Sequence, residues 1–356
     1  MGASESTSID VSFNRPNLFY FAGEQITGNI SFKNTRDKLT LDGIFLEFIG
    51  EAGYTTREAR RRHDGSGRSN TEYYTEYHQI PFITHRIPVI EPQHGQRELY
   101  LYRGQHSWPF EFVLPQCLPP SSLPLRVLYP YIKYYVRIVL DKPWYKPNAK
   151  QVHTLTIFPR VNINQIPNAQ QSILSTQSNR KKVNLQGHLI QNGVVPGEKL
   201  SLNINLLNPK RAEIKRIEAT LIQHRQIALS QQSETIFRME LPELHEFNGT
   251  NFHQIFELPI PSDYLSPTYT YTTQCCGPSL GIAFNYELKL DVKVRGLFTD
   301  FKVSMPVLIG TDTSYDEQPP SFMNNFDHIP IASAPAYDYE EVPPPTYESI
   351  ITNVKQ

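Results

Sequence analysis

Residues 286–294 read Tyr-Glu-Leu-Lys-Leu-Asp-Val-Lys-Val, and their pattern sets the fold class. Tyr286, Leu288, Leu290, Val292 and Val294 alternate with Glu287, Lys289, Asp291 and Lys293. Successive side chains of an extended chain point to opposite faces. The run therefore presents one apolar and one charged face, as a half-buried antiparallel strand requires. The same alternation recurs at Leu200, Leu202, Ile204 and Leu206 against Ser201, Asn203 and Asn205, and again at Ile132, Tyr134, Val136, Ile138 and Leu140. No 11-residue window carries a comparable helical stripe. Such strands, separated by turns bearing Pro and Gly, predict an all-β protein built as β-sandwich rather than as alternating β and α.

Composition agrees. The 356 residues are 39% apolar and 19% charged, enough for packed cores and too apolar for wholesale disorder. Proline, 29 of 356 or roughly 8%, exceeds the usual ~5%. Aromatic residues reach 12%, mostly Tyr and Phe, which favour strands. A net charge of −1 gives no bulk basicity for nucleic acid, and no alternating basic and aromatic pattern supports it either. The three cysteines, Cys117, Cys275 and Cys276, cannot make a disulfide framework and suit a reducing compartment. The first 30 residues hold no apolar signal core, and no run of ~18 apolar residues occurs, so a cytoplasmic protein is expected. Asn29-Ile-Ser and Asn248-Gly-Thr then match the glycosylation pattern by chance.

The chain repeats itself. Ala22-Gly23-Glu24 followed by Ile26, Gly28, Ile30 and Phe32 is answered by Pro196-Gly197-Glu198 followed by Leu200, Leu202, Ile204 and Leu206. Ile44, Leu46 and Phe48 are answered by Ile217, Ala219 and Leu221. Trp108, Phe110, Phe112 and Leu114-Pro115 correspond to Phe252, Phe256 and Leu258-Pro259. The Ile132 run corresponds to the Tyr286 run, and Leu155, Ile157 and Pro159 to Val303, Met305 and Pro306. Six elements in one order predict two tandem sandwiches of one topology, over 9–165 and 183–311. The first carries a longer insertion at about 55–105. Residues 1–8 read as a flexible N-terminus and the polar stretch 166–182 as a linker. Residues 312–356 hold eight acids, one base and seven prolines, a net of −7 that leaves the body at +6. They read as a disordered acidic tail.

The tail contains Val342-Pro343-Pro344-Pro345-Thr346-Tyr347-Glu348. Consecutive prolines pre-set the polyproline II helix, so little entropy is lost on docking. An aromatic WW-domain groove takes such a segment. Pro344 and Pro345 would stack in the groove, and Tyr347, one turn of the three-residue helix beyond Pro344, would enter a second pocket. A solubilising Pro-rich tail is the plainer alternative. Ala334-Pro335-Ala336-Tyr337 has the tyrosine without the first proline. Met1-Gly2-Ala3-Ser4-Glu5-Ser6 fits the myristoylation pattern at Gly2, against an ordinary polar N-terminus. Arg60, Arg61 and Arg62, with Arg57 and Arg68, form a basic cluster that would contact anionic lipid or an acidic or phosphorylated cargo tail, against a merely solvated loop. No G-x-S-x-G, H-E-x-x-H, P-loop or G-x-G-x-x-G occurs, and His63, His78, His85, His94 and His106 lack the paired cysteines of a zinc site. No enzyme activity, metal or cofactor is expected, and Cys275-Cys276 reads as a turn or buried pair.

Three stretches resemble the α-arrestins, or arrestin domain-containing proteins. Asn17-Leu18-Phe19-Tyr20-Phe21-Ala22-Gly23-Glu24-Gln25-Ile26-Thr27-Gly28 is similar to the family's opening n-x-v-y-x-p-G-E-x-v-x-G, with Ala22 in place of the usual proline. Tyr134 through Trp144 is similar to its Y-x-V-x-x-x-L-x-x-P-W strand, and Leu114-Pro115 through Leu118-Pro119-Pro120-Ser121-Ser122 to its l-P-x-x-L-P-S-S turn. The resemblance covers most of 10–311 together with the tail motif. It implies two arrestin-type, immunoglobulin-like sandwiches. It also implies an adaptor whose tail recruits WW-domain, HECT-class ubiquitin ligases to membrane receptors or transporters, which are ubiquitinated, internalised and sorted through endosomes. Such a protein would be cytoplasmic and recruited peripherally to plasma membrane and endosomes. The alternative is an arrestin-fold structural subunit of a trafficking coat or sorting complex. Where many vertebrate members carry two P-P-x-Y motifs, this chain has one full copy.

Overall fold

A computed structural model describes residues 9–63, 69–92, 96, 98–122, 128–142, 149–262, 265–273 and 279–312. The first sandwich comprises β1 (Ile9–Phe13), β2 (Phe19–Phe21), β3 (Gln25–Leu41), β4 (Gly43–His63), β5 (Ser69–Ile90), β6 (Leu99–Val113), β7 (Tyr131–Asp141) and β8 (Ala149–Phe158). The second comprises β9 (Ile173–Ser178), β10 (Asn184–Leu189), β11 (Gly193–Val194), β12 (Lys199–Leu207), β13 (Ile214–Ile227) and β14 (Ser230–Glu240). It is completed by β15 (Asn251–Pro259), β16 (Tyr269–Thr273), β17 (Leu280–Val294) and β18 (Phe301–Ile309).

The predicted duplication is present in the sheet order. The first sandwich faces a β1-β3-β6 sheet against β2-β8-β7-β4-β5. The second faces β9-β10-β12-β15 against β11-β18-β17-β13-β14, with β16 added beside β17. Each strand of the first half has a counterpart in the same place. Even the one parallel pair, β2 with β8, is matched by β11 with β18. Alternation does what period 2 demands: Leu200, Leu202, Ile204 and Leu206 are all buried, as are Tyr286 through Val294 at every second position.

The Gly-Glu turns show why the repeat has that signature. Gly23 and Gly197 sit at φ +84° and +87°, where a Cβ is strained. Their amides donate to Pro115 O and Ile260 O at 3.1 and 3.2 Å. One residue on, the carboxylates of Glu24 and Glu198 accept from the amides of Phe21 and Val195 at 3.1 and 3.3 Å. The glutamate thus closes its own turn by satisfying a backbone donor that the turn leaves unpaired. Glu24 also meets Arg15 at 2.9 Å and Arg160 at 2.8 Å.

Two expectations are corrected. The stretch 166–182 is not a bare linker: it holds a 3-10 turn at Pro167–Gln170 and all of β9, which pairs antiparallel with β10 from Ile173 to Ser178. Its composition misleads because β9 is an edge strand whose residues are mostly exposed. The plainer reading of the arginine cluster as a solvated loop is also corrected for its described members. β4 and β5 pair from Ile44↔Ile90 outward to His63↔Ser69, so Arg57 and Arg60 lie on a strand. Residues 1–8, Cys275-Cys276 and residues 313–356 of the acidic tail lie outside the described residues, whereas Asp312 forms a bridge with Asn162.

Candidate functional site

The two halves of the repeat meet at hydroxyl-bearing turns. In the first sandwich the amide of Ile157 donates to Ser121 Oγ at 2.9 Å, and the buried Tyr134 hydroxyl donates to Pro119 O at 2.7 Å. In the second, the amide of Ile309 donates to Thr268 Oγ1 at 2.9 Å, and the Tyr286 hydroxyl donates to Ser266 O at 2.6 Å. The turn in each half is therefore held by one hydroxyl and one tyrosine. Ser266 Oγ then donates to Ser121 O at 2.9 Å, joining one copy of the turn to the other. Burial pushes the Tyr134 and Tyr286 hydroxyls well above the usual tyrosine range, so both remain protonated donors.

The seam around this contact is mixed. Ile227, Leu280, Ile282 and Phe284 of the second sandwich pack into the core of the first. Thr311 and Val161 exchange bonds, with the Val161 amide donating to Thr311 Oγ1 at 2.8 Å and the Thr311 amide to Val161 O at 2.9 Å. Gln223 donates to the Tyr286 hydroxyl. Arg225, 5% exposed, donates to Gln232 Oε1 at 2.8 Å, and its burial pulls the guanidinium below its usual value.

A second candidate is the arm formed where β4 and β5 run beyond the sandwich. Tyr54 stacks on His78 at 4.8 Å, and Thr56 Oγ1 lies 2.8 Å from His78 Nε2. The Arg57 guanidinium lies 4.4 Å over the Tyr73 ring. Tyr77 meets Tyr129 edge-on at 5.1 Å. Of the three arginines singled out from sequence, Arg60 is exposed on β4 opposite Glu72, while Arg61 and Arg62 pair through backbone with Thr71 and Asn70. Pro344, Pro345, Tyr347 and Gly2 lie outside the described residues.

A third feature is a cleft of about 320 Å³ on the outer face of β10, β12 and β15, lined by Gln186, His188, Asn203, Asn205 and His253. No Asp, Glu, Lys or Arg lines it. Among the described residues no group of three or more His, Cys, Asp or Glu could hold a metal ion. No described helix is long and apolar enough to cross a membrane. Sequence reasoning missed the seam hydroxyls of Thr268 and Ser266. The signal was present: Leu265-Ser266-Pro267-Thr268 answers Leu118-Pro119-Pro120-Ser121 at the same place in the repeat.

Comparison with known proteins matches residues 9–164 to the family model for the arrestin (or S-antigen) N-terminal domain. Residues 179–313 match the arrestin (or S-antigen) C-terminal domain. The chain is 26% identical to arrestin domain-containing protein 17 of Caenorhabditis elegans over 211 residues, which is 56% of this chain and 47% of that protein. It is 27% identical over 150 residues to arrestin domain-containing protein 4 of Mus musculus, covering 42% of this chain and 34% of the mouse protein. Against arrestin domain-containing protein 4 of Homo sapiens it is 23% identical over 303 residues, covering 82% of this chain and 68% of the human protein. The matched part thus spans about half or less of the first two relatives.

Proposed function

Since the chain belongs to the arrestin domain-containing family, we propose that it is a non-enzymatic adaptor that brings a WW-domain ubiquitin ligase of the HECT class to membrane cargo. The observation that carries this reading is Pro344-Pro345-Thr346-Tyr347 placed beyond two arrestin sandwiches. The sandwiches bind a receptor or transporter, and the tail holds the ligase close to it. Tethering raises the ligase's effective concentration at the cargo without any new contact. Ubiquitination, internalisation and endosomal sorting of the cargo then follow. On this reading the protein works in the cytoplasm and is recruited peripherally to plasma membrane and endosomes, aided by the arginines of the arm and, where it is acylated, by Gly2.

Pulldown of the full chain by isolated WW domains tests it. Tyr347 acts as an aromatic anchor leaving water for a pocket. Tyr347→Ala should cost about 2 kcal/mol, a roughly 30-fold loss of affinity. Equal capture of wild type and Tyr347→Ala would remove the mechanism.

A further inference from the structure

The outer edge of β5 has no partner among the described residues: the five-stranded sheet ends there, and β5 pairs only with β4. Exposed edges present a row of unpaired backbone donors and acceptors, and proteins usually blunt them with lysine, proline or a bulge. From Ser69 to Ile80 this edge has no lysine and no proline, its acidic charges are Glu72 and Glu76, and Pro81 marks the end of the stretch. Its register with β4 is continuous from Ala52↔Ile80 to His63↔Ser69, so no bulge interrupts it. It carries Tyr73 at 61% exposure and Tyr77 at 65%, two residues either side of Thr75 and on the same face.

We propose that this edge is a homodimer interface, in which β5 of one copy pairs antiparallel with β5 of a second copy about a two-fold axis through Thr75. A two-fold axis makes the contact self-complementary, and the sequence meets that condition with Thr75 at the centre. With Thr75 on the axis, Tyr73 faces Tyr77 of the second copy, twice over. Tyr74 faces Glu76, and Glu72 faces His78. Moving the axis one residue towards the N-terminus sets Glu72 against Glu76. Moving it one residue towards the C-terminus sets Glu76 against itself. Like charges directly opposite weaken a ladder, which disfavours both neighbouring centres, and Thr75 is the centre that opposes Tyr73 to Tyr77 twice, an aromatic cross-strand pair that stabilises it. Arg57, already over Tyr73 at 4.4 Å, backs the aromatic row from β4. Pairing would fuse two five-stranded sheets into one of ten and bury both edges.

The pairing stands independently of the ligase reading, but it has a consequence for it. One chain carries one P-P-x-Y motif, and a dimer presents two, which a ligase with several WW domains binds with avidity.

Sedimentation of the full chain over about 1–100 μM should show a concentration-dependent dimer. Tyr73→Lys/Tyr77→Lys places lysine opposite lysine and should weaken it by about tenfold or more. Tyr73→Lys/Tyr77→Glu places lysine opposite glutamate in this register alone and should restore it. Thr75→Cys should form an intermolecular disulfide on mild oxidation that wild type does not, because opposed residues of a ladder meet the required Cα separation. A chain that stays monomeric throughout overturns the proposal. So does a dimer that survives Tyr73→Lys/Tyr77→Lys, or that the two charge variants affect alike. Far-ultraviolet circular dichroism confirms that each variant keeps its strands.

Discussion

Tyr286→Phe removes one oxygen from the seam and should be among the more costly conservative substitutions in the molecule. The ring is 3% exposed, and its hydroxyl serves two partners. It donates to Ser266 O at 2.6 Å and accepts from Gln223 Nε2, whose residue is 1% exposed. Phenylalanine keeps the packing and leaves both partners without water or a replacement. An orphaned buried polar group costs about 1–3 kcal/mol, offset in part because the hydroxyl no longer has to be desolvated, so a net loss of about 2–4 kcal/mol is expected. That is a large share of a total stability of about 5–15 kcal/mol. Tyr134→Phe is the internal control. Among the described residues its hydroxyl is bonded to Pro119 O at 2.7 Å, so its loss should be about half as large. Urea unfolding of the full chain, followed by tryptophan fluorescence and circular dichroism, gives both values. A Tyr286→Phe effect within about 0.5 kcal/mol of zero, or one no larger than that of Tyr134→Phe, would refute the assignment of Gln223, Tyr286 and Ser266 as one satisfied hydrogen-bonded chain.

Other expectations follow from single groups. Burial lowers the His153 pKa below 6.5, and the ring packs edge-on to Phe13 at 5.4 Å. The folded state therefore favours neutral imidazole. The stability this contributes is present above pH 6.5 and is lost as pH falls below it, because the unfolded chain then binds more protons. His153→Gln should flatten the slope of stability between about pH 6.5 and 5; an unchanged slope would dismiss the assignment. Gly310→Ala would put a Cβ 2.3 Å from Ile163 Cγ1 and 2.8 Å from Val161 O, a backbone atom that cannot turn aside. A loss of about 1–3 kcal/mol in the same urea assay is expected, and a neutral result would show that the junction relaxes. Phosphorylation of Thr346 or Tyr347 adds about −1.5 to −2 charges to the docking segment, so calorimetry on the two phosphopeptides should show weaker WW binding than the unmodified peptide; equal affinity would dismiss the effect.

The regular strands were legible because each has one wet and one dry face. Leu200 to Leu206 and Tyr286 to Val294 carry that contrast residue by residue, and the duplicated Gly-Glu turn fixed how the two halves correspond. The arm was not legible for the opposite reason. Residues 71–77 are exposed on both faces, so no period-2 contrast marks them, and arginine, glycine and serine nearby read as loop. β9 failed similarly: Thr176, Gln177 and Ser178 are exposed on an edge strand that looks like linker. The bond from Ser266 to Ser121 joins residues 145 apart in the chain, and single polar residues carry no periodicity to announce it. The case for ligase docking rests on the sequence Pro343-Pro344-Pro345-Thr346-Tyr347 alone, since those residues lie outside the described ones.

Reconstitution on vesicles offers the sharpest trial of the adaptor role. A purified membrane receptor that binds the full chain is mixed with ubiquitin, the conjugating enzymes and a HECT ligase, and ubiquitin on the receptor is read over time. Wild type should accelerate the transfer, and Tyr347→Ala should bind the receptor equally well yet leave transfer at the rate seen with ligase alone. Equal acceleration by both proteins would contradict the account.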